Sequence, residues 1–279
     1  MPTFQKLMSS WADNLDIYDK QESESLVSWL FEHHLGWKRS DSLNKADPAS
    51  FPPKMFKDFE RMKSGEPIQY ILGKGPFYGR EFLVAPATLI PRNETEELVH
   101  LIIKENRVAG LKILDVGTGT GCIPITLALE MANSEVFAVD ISEEALEIAR
   151  QNSDLLGANV IFSTCDILTQ VPEVSNLDIL VSNPPYIPVQ QKNQMQKNVL
   201  DFEPELALFV SDENPLIFYR TIAEKGKQLL KPGGKLYFEI NEKYGKEVAD
   251  LLQELGYLEV KVLKDLNGKD RIAKATTTS

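Results

Sequence analysis

Leu111-Lys-Ile-Leu-Asp-Val-Gly-Thr-Gly-Thr-Gly-Cys122 is the stretch on which the fold turns. A short apolar run carries an acid, Asp115, one residue before its end. It passes into a turn with glycines at alternate positions, Gly117, Gly119 and Gly121. Cys122 opens a run to Met131 that reads as a helix. Strand, glycine turn and helix in that order let a backbone turn sharply and approach a ligand closely. The dinucleotide fingerprint G-x-G-x-x-G would need glycine where Cys122 stands, and a P-loop would need Lys and Ser or Thr after Gly121. Neither pyrophosphate nor triphosphate is favoured.

Outward from this turn, strand and helix alternate. EVFAVD ends a second strand at Asp140, and Ser142 caps a helix running to Leu156. NVIFST and LDILVS read as third and fourth strands, and Leu216 to Leu230 as a helix stopped by Lys231-Pro-Gly-Gly. KLYFEI, a helix from Tyr244, and the late strands YLEVKVL and RIAKA follow, with residues 276–279 expected to be a disordered tail. Such alternation predicts an α/β fold: a mostly parallel sheet with helices on both faces. Upstream, residues 22–37 place Leu26, Trp29, Leu30 and His33 on one helical face. Asp47-Pro48 and Pro52-Pro53 punctuate the next stretch, and a short helix runs from there to Gly65. Residues 69–91 mix Gly, Pro and aromatics in the manner of a β-hairpin or extended linker. The expected organisation is a small helical domain at 1–70, a hairpin linker at 71–92 and the α/β domain at 93–279.

The chain has 279 residues, 43% apolar and 25% charged, enough to bury its own core. Two cysteines, Cys122 and Cys165, exclude a disulfide framework and a four-cysteine zinc site, and read as small buried hydrophobes. The three histidines fall in no metal-ligand spacing, so no metal is expected. His33 is expected to pack on its helix face and His100 to lie on a surface. No apolar run approaches the ~18–20 residues of a membrane span, and no secretory signal opens the chain. The expected setting is the reducing cytoplasm, without membrane contact. The net charge is -11, and residues 91–279 hold 29 acidic against 19 basic side chains. Nucleic-acid affinity rests on Lys and Arg, so this balance argues against a broad phosphate-binding surface. It suits a cationic cofactor or a basic protein partner.

The D-x-G-x-G-x-G form of Asp115–Gly121, with Asp140 placed to accept hydrogen bonds from a ribose, resembles class I S-adenosylmethionine-dependent methyltransferases. The resemblance implies S-adenosyl-L-methionine as cofactor, held by Gly117, Thr118, Gly119, Thr120, Gly121 and Asp140. It places Asp166 at the adenine. Leu168 stands near where many relatives carry an aromatic.

Asn183-Pro-Pro-Tyr186 follows the fourth strand, at the sheet edge where open α/β sheets bind ligands. Two prolines stiffen the backbone and remove two N–H donors, leaving carbonyls to face a substrate. Asn183 adds a side-chain carbonyl and Tyr186 a flat face. The set suits a planar nitrogen whose lone pair is delocalised. Acceptors that hold its N–H bonds can orient it for an in-line displacement at a sulfonium methyl, with no strong base. Catalytic roles are assigned to Asn183, Pro184 and Tyr186, and substrate binding to Asn183, Pro184, Pro185 and Tyr186, with Asn183 also beside the cofactor. Glutamine amides in proteins and adenine N6 in nucleic acid both fit this motif.

The rest of the chain separates them. Leu89-Ile-Pro-Arg-Asn-Glu-Thr-Glu-Glu-Leu98 closely resembles a segment of the protein-(glutamine-N5) methyltransferases that modify peptide chain release factors. Pro67–Gly73, Phe77-Tyr-Gly79, Glu203-Pro204, Tyr219-Arg220, Glu239-Ile240 and Asp265–Arg271 also match that family, in order. The chain departs from it at Asn93, where proline is usual, and at Asn241, where glycine is usual. Asn241 is expected to stand in for glycine in a left-handed conformation. The resemblance implies a class I Rossmann-like, seven-stranded fold. It also implies methyl transfer to the glutamine of a Gly-Gly-Gln loop in release factors, which the N-terminal helices help to recognise. Arg92, Glu94 and Glu96 are given a cofactor-side or linker-bracing role. Direct nucleic-acid binding is not expected, and a monomer is. An adenine-N6 methyltransferase and a non-catalytic cofactor-binding adaptor are the competing readings.

Overall fold

Lys112–Val116 is an all but fully buried strand, as a continuous apolar run in a parallel sheet should be. In the computed structural model, which describes residues 4–38 and 51–278, the residues fall into two compact units. One is drawn from Met1–Lys74 with Gln196–Phe202, the other from Gly75–Met195 with Glu203–Ser279.

The first unit is helical: Phe4–Ala12, Lys20–Leu35, Pro53–Lys63, Ile68–Leu72 and Lys197–Phe202. Asp19 caps the second helix by accepting the Glu22 N–H at 2.8 Å, and Gly36 ends it in a left-handed conformation. Its buried face runs through Ser23, Val27, Leu30 and Phe31, one position off the predicted face. His33 is exposed, contrary to expectation. His34 instead turns inward, to Asp58 at 2.8 Å. Residues 69–72, read as the start of the hairpin or extended segment, belong to a helical turn, Ile68–Leu72, closed by Gly73. Asp47-Pro48 lies outside the described residues.

The second unit opens with a hairpin, β1 (Lys74–Phe77) and β2 (Arg80–Leu83). Its main sheet contains β3 (Lys112–Val116), β4 (Glu135–Asp140), β5 (Val160–Thr164) and β6 (Leu177–Ser182). A small parallel pair, β7 (Ile187–Pro188) and β8 (Phe209–Val210), lies outside it. The main sheet is completed by β9 (Leu230–Glu239), β10 (Leu258–Lys264) and β11 (Asp270–Thr276), in the order β10-β11-β9-β6-β3-β4-β5. β11 runs antiparallel to β9 and β10, and the other pairings are parallel. The seven-stranded, mostly parallel sheet is as predicted. Helices Asn93–Glu105, Cys122–Glu130, Glu143–Leu156, Ile217–Leu229 and Gly245–Glu254 complete the unit with apolar faces packed into two cores.

Two details differ from the sequence reading. Lys231-Pro-Gly-Gly does not lie between helix and strand; β9 begins at Leu230 and absorbs it, with a register irregularity opposite β6 between Leu177 and Ile179. Residues 276–278 are not a loose tail. Thr276 ends β11, and Thr277 donates its N–H to the Gly234 carbonyl at 2.9 Å and its hydroxyl to the Lys231 carbonyl at 2.8 Å.

Candidate active site

The chain winds outward from β3 through β4 to β5, then crosses back to place β6 on the other side of β3. That reversal is the switch point where open α/β sheets bind ligands. Val116 pairs with Ser182 at the last register position of β3 and β6. The next residues are Gly117 and Asn183. The glycine turn and the Asn-Pro-Pro-Tyr loop therefore start side by side.

The glycine turn is held by its neighbours. The Gly117 and Thr118 N–H groups donate to the Val139 carbonyl at 2.9 and 3.1 Å, and the Gly119 N–H to Asp140 Oδ2 at 2.8 Å. Asp140 Oδ1 accepts the Ser142 N–H at 3.0 Å. Gly119 and Gly121 have φ of 55° and 78°, which side chains rarely adopt. A Cβ on Gly119 would meet nothing within 4 Å, so the turn faces open space there. A Cβ on Gly121 would come within 2.9 Å of Ile125 Cδ1 and 3.1 Å of Ala149 Cβ, so that glycine serves helix packing.

Around these loops lies a cavity of about 440 Å³. Gly117, Thr118, Gly119, Thr120, Asp140, Asp166, Leu168, Asn183, Pro184 and Pro185 all line it. Gly121 and Tyr186 do not. Tyr186 is half-buried against a core, and its hydroxyl donates to Glu239 Oε1 at 3.2 Å. Asp166 spends both oxygens on its own turn, accepting the Leu168 N–H at 3.0 Å and the Thr169 hydroxyl at 2.8 Å. Leu168 is partly exposed beside it.

The sequence reading missed part of the wall: Pro86–Pro91, Ile141, Ser142, Leu206, Ala207 and Phe218, whereas Arg92, given a cofactor-side or linker-bracing role, does line it. Ile141 and Ser142 directly follow the acid that ends β4, and topology alone could have suggested them. Leu206 and Phe218 come from elements the sequence does not tie to this edge. Glu203 is 5% exposed and braces the Pro86–Arg92 segment, accepting Arg92 Nη2 at 2.5 Å and the Ile90 N–H at 3.2 Å. Glu96 Oε1 accepts the Tyr78 N–H at 2.8 Å, tying the helix to the hairpin. The departure at Asn241 takes no left-handed conformation. It is buried, donates Nδ2 to the Tyr186 carbonyl at 3.2 Å, and accepts the Lys243 N–H at 3.0 Å. Asn93, the other departure, is the first residue of its helix, a position that proline also suits.

The chemistry of the wall fits a cation better than a phosphate. Arg92 is its one basic side chain, and Glu203 already engages it. Beneath the glycine turn, Asp115 is fully buried with neither carboxylate oxygen hydrogen-bonded. Burial pushes its carboxyl up to about 7, the neighbouring Thr118 hydroxyl opposes this, and the Asp140 charge adds to it. A cation bound above the turn would favour the ionised form of this acid. Burial also raises Asp140, opposed by the N–H groups it accepts. Cys122 and Cys165 are buried, and burial lifts the Cys122 thiol to about 12. Among the described residues no cluster of His, Cys, Asp and Glu could hold a metal, and no helix is long and apolar enough to cross a membrane.

Comparison with known proteins agrees with this geometry. Residues 107–261 match a family described as a methyltransferase domain, and residues 9–73 match the PrmC N-terminal domain. A release factor glutamine methyltransferase of Bacteroides thetaiotaomicron is 54% identical over 77% of this chain and 77% of its own length. One from Flavobacterium psychrophilum is 42% identical over 92% and 93%. A crystal structure of a methyltransferase from Pyrococcus furiosus superposes with a TM-score of 0.54, at 21% identity, covering 73% of this chain and 91% of that one. Sheet order, glycine turn and cavity define an S-adenosylmethionine-dependent methyltransferase of Rossmann-like fold. More narrowly, the chain belongs to the release factor glutamine methyltransferase family.

Proposed function

We propose that this enzyme methylates the side-chain amide nitrogen, N5, of the glutamine in the Gly-Gly-Gln loop of peptide chain release factors. The observation that carries the reading is the Asn183 amide. Its Nδ2 is engaged by the Thr95 hydroxyl at 3.2 Å at the wall of the cavity, leaving Oδ1 as an acceptor. In this reading Oδ1 accepts one N–H of the substrate amide and the Pro184 carbonyl accepts the other. Pro185 lines the approach, and Tyr186 stiffens the loop. Gly117 to Thr120, Asp140, Asp166, Leu168 and Asn183 would hold S-adenosyl-L-methionine, which supplies an electrophilic methyl group when bound, and Gly121 seats the turn on its helix.

The residues themselves act by placement. An amide nitrogen is a poor nucleophile because its lone pair is delocalised. Two acceptors fix its plane, and they strengthen as positive charge develops on nitrogen. The proton can leave to solvent after transfer. Burial and the Glu239 charge hold the Tyr186 hydroxyl protonated far above neutral pH, so it is not a base. The acidic balance of residues 91–279 favours encounter with a basic protein surface and disfavours nucleic acid. Residues 1–70 are read as the release-factor recognition domain, residues 71–92 as the linker and residues 93–279 as the catalytic domain. The same reading takes the enzyme as cytoplasmic and monomeric.

The test is transfer of labelled methyl from S-adenosylmethionine to a purified bacterial release factor, with the label located by mass spectrometry. Label on the Gly-Gly-Gln glutamine is the expected result. Methylation of DNA adenine at a matching rate would overturn the assignment.

A further inference from the structure

Glu239 ends β9, Thr95 lies in the first turn of helix Asn93–Glu105, and Asn183 follows β6. The three come from distant parts of the chain and meet in one buried line. Thr95 Oγ1 donates to Glu239 Oε2 at 2.6 Å, and Asn183 Nδ2 donates to Thr95 Oγ1 at 3.2 Å. Tyr186 donates to the other oxygen, Oε1, at 3.2 Å. Glu239 is 1% exposed and Thr95 3%. The carboxylate therefore touches both ends of the Asn-Pro-Pro-Tyr loop, directly at Tyr186 and through Thr95 at Asn183.

We propose that Thr95 and Glu239 are positioning residues that decide which atom of the Asn183 amide is offered to the substrate. Burial raises the Glu239 carboxyl, opposed by the bonds from Thr95 and Tyr186 and by the Arg271 charge, and in its ionised form it can only accept. The single hydroxyl proton of Thr95 is committed to it, so Thr95 turns lone pairs toward Asn183. Only the NH2 group can face lone pairs favourably. The carbonyl Oδ1 is left for the substrate N–H. With the amide turned over, two acceptors would oppose each other at Thr95, and two donors would oppose each other at the substrate. The polarity of the line is thus set at Glu239 and read out at Asn183. The Asn241 bond to the Tyr186 carbonyl holds the far end of the same loop.

This inference rests on the reading of Asn183 as acceptor for the substrate amide, and the experiment separates the two. Steady-state methylation of a purified release factor is compared for wild type, Thr95→Val, Thr95→Ser, Glu239→Leu and Asn183→Ala, with cofactor affinity measured by calorimetry. Thr95→Val keeps the shape and removes the hydroxyl. It should lower kcat by about tenfold or more while cofactor affinity changes by less than about threefold. Thr95→Ser should restore most of the rate. Combined with Asn183→Ala, Thr95→Val should cost nothing further, because it acts through that side chain. A wild-type kcat in Thr95→Val, or a cost that adds in full to that of Asn183→Ala, would overturn the proposal. Should Thr95→Val not fold, Glu239→Leu decides. With no polar atom at that position, the Thr95 hydroxyl loses its acceptor and its proton is free to turn toward Asn183, so kcat should fall, and an unchanged kcat overturns the proposal. A wild-type rate in Asn183→Ala itself would instead remove the underlying reading, and this proposal with it.

Discussion

Arg92 and Glu203 form an ion pair at 2.5 Å in which the Glu203 side chain is almost wholly buried and the Arg92 side chain about one-third exposed, 1% against 34% of their side-chain surface. The second oxygen of Glu203 accepts the Ile90 N–H. One side chain thus anchors a strip of cavity wall more than a hundred residues away in sequence. Removing one partner of a buried pair leaves an uncompensated charge or unmade bonds, at about 3 kcal/mol or more. Arg92→Ala strands a buried carboxylate, whereas Glu203→Gln keeps an acceptor for Ile90. We expect Arg92→Ala to be the more destabilising in urea unfolding. The reverse order would show that the backbone bond, not the charge, holds the strip.

Asp140 has two roles that one variant can separate. Its oxygens accept the Gly119 and Ser142 N–H groups, and it lines the cavity. Asp140→Asn keeps one acceptor and the volume, while Asp140→Ala removes both acceptors. Loss of a charged acceptor for a ribose hydroxyl is worth about 1.5–3 kcal/mol. S-adenosylmethionine affinity should therefore fall by about ten- to a hundredfold in Asp140→Ala, and less in Asp140→Asn. Calorimetry showing unchanged affinity in Asp140→Ala would remove Asp140 from the cofactor site.

Much of this was legible in the chain, for physical reasons. The central strands are short apolar runs because parallel strands are covered on both faces. The glycine turn shows itself by positions that side chains rarely adopt. What was not legible depends on tertiary choice. His33 and His34 are neighbours, and only the packed partner, Asp58, decides which turns inward. β7 and β8 are two residues each, too short to carry a period. Thr95 and Glu239 stood in segments recognised only as family matches. Their bond spans 144 residues, and no local pattern announces it. Asn241 was expected to replace glycine by its backbone, and instead contributes a side-chain bond.

The buried Asp115 predicts a pH dependence with a definite sign. Its carboxyl is pushed up from 3.8 to about 7 in the folded protein. Between those values the native state holds a proton that the unfolded chain has released. Stability from this group is therefore full below about pH 4, declines toward about pH 7, and is level beyond. Asp115→Asn removes the decline, so without cofactor the variant should gain melting temperature relative to wild type between pH 5 and about 8. Cofactor binding should show the opposite trend. A cation favours the ionised acid, so wild-type affinity should rise from pH 5.5 to about 7 while that of Asp115→Asn stays weaker and flat. Parallel melting curves for both proteins at every pH would show that Asp115 does not titrate in this range.

Tyr186 supplies the last test, because its place in the structure differs from a stacking surface at the cavity wall. The ring does not line the cavity, and the hydroxyl points to Glu239 at 3.2 Å. Tyr186→Phe removes one donor from a carboxylate that keeps Thr95 at 2.6 Å. The loop retains its two prolines and the Asn241 bond to its backbone. The expected loss in kcat is below about tenfold, against about a hundredfold for Asn183→Ala, which removes the acceptor itself. Tyr186→Ala also empties volume packed against the core and should cost more, through disorder of the loop. The shape of the pH–rate profile distinguishes positioning from proton transfer. If the hydroxyl acted as a base, the wild-type rate would climb with pH as the tyrosinate formed, and Tyr186→Phe would abolish that climb and cripple the enzyme as fully as Asn183→Ala. Positioning requires both profiles to keep the same shape and the loss to stay small.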